Sequence, residues 1–281
     1  MSKIYDGFLF FNELDLLEIR LNELNNVVDK FVLVECLLTH ASKEKPYYFE
    51  ENKDRFSKFL DKIIHIKVED RPDIPVREAR HGLMHNRHEM EWYQRDCISR
   101  GFLECDPEDI VLLSDIDEIP SVEAINHCKR ILSSDDSLLV SLEQMLFYYS
   151  LNGLCVNNNG SLVKWHGTTA CKYKNYPGGQ AIRNTKGKNP TKILNGGWHF
   201  SYLGGPDAIA QKIESYSHAE FDNDIIKDRS RIQDCIDNGV DLFNRPGKPN
   251  QYYVKINESF PKYLQENIEK YSHLIIGNQN E

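Results

Sequence analysis

Apolar positions in the first half of the chain alternate between short continuous runs and helical spacing. Residues 4–11 read as a strand. Behind Asn12, a good N-cap with Asp15 three residues on, Leu14, Leu17, Leu21 and Leu24 then recur at the helical period. Residues 31–35 (FVLVE) form a fully apolar strand ending in a carboxylate, 63–68 form another and 109–113 (DIVLL) a third. Helical stretches near 50–60 and 86–100 lie between them. This alternation predicts an α/β fold with a mostly parallel central sheet flanked by helices.

Further along, a helix is expected from Ser121 to about 133, then an apolar and aromatic strand over 138–149 closed by the turn signal Asn152-Gly153. The middle of the chain reads as loop-rich. A helix follows from 206 to about 220 with Ile209, Ile213 and Tyr216 on one face, and then a polar tail holding Arg245-Pro246-Gly247-Lys248-Pro249.

Composition narrows the function. The 281 residues are 40% hydrophobic and 27% charged, the balance of an ordinary globular chain, and the net charge of −9 argues against a nucleic-acid partner. No apolar run is long enough to span a bilayer, and the acidic N-terminus does not suit a signal peptide. Seven scattered cysteines without a C-x-x-C pair suit a reducing compartment, so the expectation is a cytoplasmic chain with no transmembrane segment. The charge is unevenly spread. Residues 144–206 contain no Asp or Glu, while Lys164, Lys172, Lys174, Arg183, Lys186, Lys188 and Lys192 all fall there. Such a segment can neutralise a diphosphate and the charge that develops on it as it leaves; equally, it can be a solvated loop balancing an acidic body.

The sharpest chemical feature is the D-x-D run Asp115-Ile116-Asp117-Glu118, directly after a buried strand, because open parallel sheets bind ligands at the carboxyl ends of strands. In an extended segment Asp115 and Asp117 project to the same side, and two convergent carboxylates suit Mg²⁺ or Mn²⁺. The plainer alternative is that they cap the following helix. In 195–201 (NGGWHFS) the glycines permit close backbone approach, Trp198 offers a flat face to a sugar and His199 a neutral nitrogen ligand. Glu214 and His218 stand at i and i+4 of the last expected helix, an ordinary surface pair in the simplest view. Glu143, at the start of the aromatic strand, is a carboxylate that burial would poise as a base, although a strand-edge Glu is more often solvated.

The blocks FFNELDLLEIRLNEL (10–24), VDKFVLVE (28–35), LLSDIDEIP (112–120), GGWHFSYLGG and KIESYSHAEF (196–221) together resemble glycosyltransferase family 17. Its animal members include the N-acetylglucosaminyltransferase that adds bisecting GlcNAc and carry a Golgi anchor. The resemblance implies a GT-A-like nucleotide-sugar fold over 1–225, with 226–281 a C-terminal extension packed on it. It implies an inverting transfer from a UDP-sugar, GlcNAc first, to a glycan or glycoconjugate acceptor. It also implies a metal held by Asp115, Asp117 and His199, with Asn12, Glu13, Glu35, Arg95 and Asp115 about the donor, to which residue type adds Lys192 and Trp198. Without an anchor, a bacterial or viral cytoplasmic enzyme is expected. Because 144–206 lacks carboxylates, the base is sought among Glu143, Glu214 and Glu220. Two other classes are open: a metal-dependent phosphohydrolase of nucleotide or sugar phosphates, and a non-catalytic carbohydrate binder using Trp165 and Trp198.

Overall fold

The computed structural model describes residues 2–70, 84–245 and 250–277. The first half comprises β1 (Ile4–Leu9), α1 (Leu14–Leu24), β2 (Lys30–Cys36), the single turn α2 (Tyr48–Glu51), β3 (Ile63–Val68), α3 (Met84–Asp96), β4 (Ile110–Asp115), β5 (Glu118–Pro120) and α4 (Val122–Ser134). There follow β6 (Val140–Tyr148), β7 (Gly153–Val156), β8 (Lys164–Lys172), α5 (Gly179–Arg183), β9 (Thr191–Ile193) and β10 (Gly197–Ser201). The last elements are α6 (Gly205–Ser215), α7 (Arg229–Asn238), β11 (Asn250–Tyr253) and α8 (Lys262–Glu266).

One sheet joins the described strands. Its N-terminal part, in the order β3-β2-β1-β4, is parallel throughout, with Leu9 opposite both Val34 and Asp115. Beyond β4 the direction reverses: β8 runs antiparallel to β4 and to β6, while β9 and β10 lie parallel along successive parts of the other edge of β6. Strand β2 shows why the runs are continuously apolar. Phe31 and Leu33 enter the core under α1, whereas Val32 and Val34 enter the opposite core with Ile98 and Phe102, so both faces are covered. A third cluster joins Ile209 and Ile213 of α6 to Ile232 and Ile236 of α7.

The expected α/β fold, with parallel strands between helices, is the one the chain adopts. Several local expectations change. Glu13, not Asn12, precedes α1, and its carboxylate accepts the backbone N–H groups of Phe11 and Asn12. Ser121 does cap α4, accepting from the Ala124 N–H. The middle is not loop-rich: β8 (KWHGTTACK) shows little apolar alternation, but hydrogen bonding on both its edges buries it. The helices expected near 50–60 and 86–100 finish as 3-10 turns, Lys53–Phe59 and Cys97–Phe102, and α6 stops at Ser215. Of the Arg245 tail motif, positions 246–249 lie outside the described residues. The C-terminal segment straps α1: the Tyr263 N–H donates to Glu23 at 2.9 Å and Lys270 pairs with Glu18. Among the described residues no helix is long and apolar enough to cross a membrane.

Candidate active site

Strand β4 ends at Asp115, beside the end of β1, and the chain turns through Ile116 and Asp117 before β5 begins at Glu118. Arg20, fully buried on α1, pins this turn from below. Its Nε and Nη2 donate to the Asp6 carboxylate at 2.8 and 2.6 Å, and Nη2 also reaches Ser114 Oγ at 2.6 Å. Nη1 donates to the carbonyls of Asp115, Ile116 and Glu118 at 3.1, 3.3 and 3.0 Å. A charge this deep is tolerated only because its donors are so fully used.

Above that base the three carboxylates of the turn face different partners. Asp115 is paired with Arg95 of α3 at 3.2 Å and Arg183 of α5 at 2.7 Å. Glu118 is buried, and Arg183 grips it with two nitrogens, each at 2.7 Å. Trp165 Nε1 donates to it at 2.6 Å, and Lys186 stands 3.7 Å away. Asp117 accepts from Lys212 of α6 at 2.9 Å and faces His199 Nε2 of β10 at 3.5 Å.

These pairings set the charge states. Burial pushes the Asp117 carboxyl up, but Lys212 and His199 outweigh it and hold the group well below the usual carboxylate range. Glu118 follows the same pattern, burial being overcome by Arg183 and Lys186. Burial takes Lys186 down to about 8, although Glu118 pulls the other way. Its ammonium lies 3.2 Å from the centre of the Trp165 ring.

All these groups line a cavity of about 320 Å³ at the carboxyl ends of β1 and β4. Of the residues singled out in the sequence, Glu13, Arg95, Asp115, Asp117, Glu118, Trp165, Arg183, Lys186, His199 and His218 come together there. Others sit elsewhere. The Asn12 amide donates to Gln211, and Glu35 is buried behind Lys45, His65 and the Phe49 N–H. Trp198 packs in the core with Nε1 on the Ser259 carbonyl, and Lys192 lies along β6 opposite Ser141. Glu143 is bound by Lys164 at 2.7 Å, and Glu214 by Lys227 at 3.2 Å and Lys43 at 3.8 Å. Glu220 joins the cavity through His218, whose Nδ1 lies 2.8 Å from its carboxylate. The paired glycines 196 and 197 serve the sheet instead of a ligand: Gly197, at φ 138°, lies against the Ile119 carbonyl.

Arg20, Lys212 and His40 also belong to the turn or its cavity and carry no motif. A charge placed inside an apolar strand, as Asp6 is, followed by one inside the apolar stripe of the next helix, as Arg20 is, is the only such cue the sequence offers.

A protein-family model described as glycosyltransferase family 17 matches residues 1–280. The β-1,4-mannosyl-glycoprotein 4-β-N-acetylglucosaminyltransferases of Homo sapiens and Rattus norvegicus are each 22% identical over 292 residues, covering 94% of this chain and 53% of theirs. The chain therefore spans about half the length of these curated relatives. Among solved structures, GalNAc-T7 with UDP, GalNAc and Mn²⁺ aligns at a TM-score of 0.40 and 10% identity over 72% of this chain and 44% of that one. A 4-diphosphocytidyl-2C-methyl-D-erythritol synthase aligns at 0.39 and 13% identity over 69% and 90%. Overlaps of that size add nothing to the fold seen directly.

Proposed function

The chain belongs to glycosyltransferase family 17, and from that premise we propose that the cavity binds a UDP-sugar, GlcNAc first, and transfers the sugar to a glycan hydroxyl with inversion. The observation that carries this reading is the charge pattern of one cavity. Asp115 and Asp117 stand at the strand ends, and Arg95, Arg183, Lys186 and Lys212 surround them as counter-charge for a diphosphate.

The residues fit a divalent cation of the Mg²⁺ or Mn²⁺ kind. Asp117 Oδ1 and His199 Nε2 face one another at 3.5 Å, a separation two donors to one ion can share, and no described residue hydrogen-bonds the buried His199 Nδ1. Among the described residues no group of three His, Cys, Asp or Glu side chains forms a cage. That suits a cation whose other positions go to phosphate and water. Bound there, such an ion supplies charge neutralisation at the leaving diphosphate. The chain's own part is to hold Asp117 ionised, to keep the turn rigid through Arg20, and to offer Arg95 and Arg183 to the phosphates. Trp165, over which Lys186 rests, is the indole that reaches the cavity; Trp198 is spent in the core, which weakens the purely carbohydrate-binding alternative.

The test is a thermal-shift panel of UDP-, GDP- and dTDP-sugars with and without Mn²⁺. UDP-GlcNAc with Mn²⁺ is expected to raise the melting temperature, since binding only the native state stabilises it. Asp117→Ala is expected to remove the Mn²⁺-dependent part. No shift with any nucleotide sugar overturns the proposal, and release of inorganic phosphate without an acceptor replaces it with a phosphohydrolase.

A further inference from the structure

We propose that His218, oriented by Glu220, is the catalytic base that takes the proton of the acceptor hydroxyl. This rests on the transferase reading above and assigns a group to a step that reading leaves open.

The carboxylates do not fill the role. Glu143 and Glu214 are bound by lysines and do not line the cavity. Those that do line it are occupied: Asp115 by two arginines, Asp117 by Lys212, Glu118 by Arg183, Glu91 by Arg95, and Glu13 by backbone N–H groups. A carboxylate held ionised by a neighbouring cation is a weak proton acceptor.

His218 differs on each count. Its ring lines the same cavity and is 50% exposed, so it stands where the cavity meets solvent and an acceptor can enter. Nδ1 lies 2.8 Å from Glu220 Oε1. With the proton on Nδ1 donated to Glu220, the lone pair of Nε2 is free, and no described residue hydrogen-bonds that nitrogen. Nucleophile activation commonly takes this form, a base held in the correct tautomer by a carboxylate.

The segment carrying it is fixed. Lys212, six residues earlier, holds Asp117; Arg87 of α3 bonds Asp222 at 2.7 Å and the Tyr216 carbonyl at 3.5 Å; and His88 meets the His218 ring edge-on at 5.2 Å. Trp92, 41% exposed, stacks on His88 at 6.3 Å between ring centres, which sets a flat apolar face one ring removed from His218, a surface that suits an acceptor pyranose.

In the step, Nε2 accepts the hydroxyl proton as the acceptor oxygen bonds to C1 of the donor sugar. The bond from C1 to the phosphate oxygen breaks, and its electron pair leaves with UDP. The imidazolium, stabilised by Glu220, then loses its proton to solvent. His40 is the rival in the same cavity. Burial holds its pKa below the usual histidine value, and no described carboxylate hydrogen-bonds its ring.

The experiment follows UDP release from UDP-GlcNAc and Mn²⁺ with p-nitrophenyl β-mannoside, or water, as acceptor. His218→Ala is expected to lower kcat by about 10²–10⁴-fold with the donor KM and the UDP-induced thermal shift unchanged, and added imidazole is expected to restore part of the rate. Glu220→Gln lowers kcat less. If the alanine variant does not fold, His218→Gln serves, with the same loss expected. Full turnover in the folded His218 variant overturns the assignment, as does loss without imidazole rescue when His40→Ala is rescued. A wild-type chain that turns over no nucleotide sugar sinks the transferase reading itself; an active wild type with an equally active His218 variant sinks the base alone.

Discussion

Asp115 and Asp117 stand two residues apart on one turn, yet their surroundings are opposite. The Asp115 side chain is 29% exposed and clamped by arginines from α3 and α5, whereas that of Asp117 is 9% exposed and faces a lysine from α6 and a histidine from β10. The lesson is that sequence neighbours need not share a task. One flank of the turn gathers guanidinium groups whose charge a phosphate can use, and the other gathers an oxygen and a nitrogen that suit a metal ion. Both flanks rest on the same buried arginine.

The largest effect should come from removing what the two flanks share. Arg20→Met strands Asp6 in the core, and urea unfolding is expected to show a loss of about 3–5 kcal/mol, as for other broken buried pairs; a loss below 1 kcal/mol would mean the turn holds itself. Next, Asp117→Asn is expected to lower kcat by about 10²–10³-fold, whereas Asp115→Asn acts mainly on donor KM. Equal profiles in steady-state kinetics would erase the distinction between flanks.

The same substitution has a signature in acid. The folded-state pKa of Asp117 is depressed, so its stabilisation is present above the ordinary carboxylate value of about 4 and drains away as pH falls toward the folded value. Asp117→Asn should therefore flatten the acid limb of a melting-temperature profile. A smaller effect is expected on the other flank. Arg183→Met leaves Glu118 and Asp115 short of a partner and should raise the donor KM by about 10–100-fold, the worth of one or two charged hydrogen bonds. Smallest is Lys186. With its pKa near 8, UDP affinity measured by calorimetry should weaken as pH rises through that value, and Lys186→Arg should remove the inflection.

The parallel half of the sheet was legible because burial on both faces writes itself as continuous apolar runs at 31–35 and 110–113. The acidic turn was legible for the same reason, since Asp115 ends such a run. Of the antiparallel half, β6 was legible as the aromatic run over 138–149, but its partner β8 was not. Strand β8 owes its place to hydrogen bonds on both edges, a long-range fact that no local periodicity records. The basic segment read as counter-charge for an anion, but nothing in it said that Arg183 and Lys186 would reach the cavity while Lys192 stayed on β9. Trp198 reads as a ligand group from its type and Glu35 from the family resemblance, and packing consumes both. Conversely, His-x-Glu at 218 and 220 is too short a pattern to stand out until the cavity shows which side the ring faces.

The strap formed by Tyr263 and Lys270 has a reach beyond its own contacts. It grips α1 at Glu18 and Glu23, the helix that also carries Arg20, so α1 works as a tie-rod between the C-terminal segment and the floor of the charged cavity. Damage to that brace by a protease nick or a badly placed fusion would register first as lost turnover, in a chain that otherwise still looks folded.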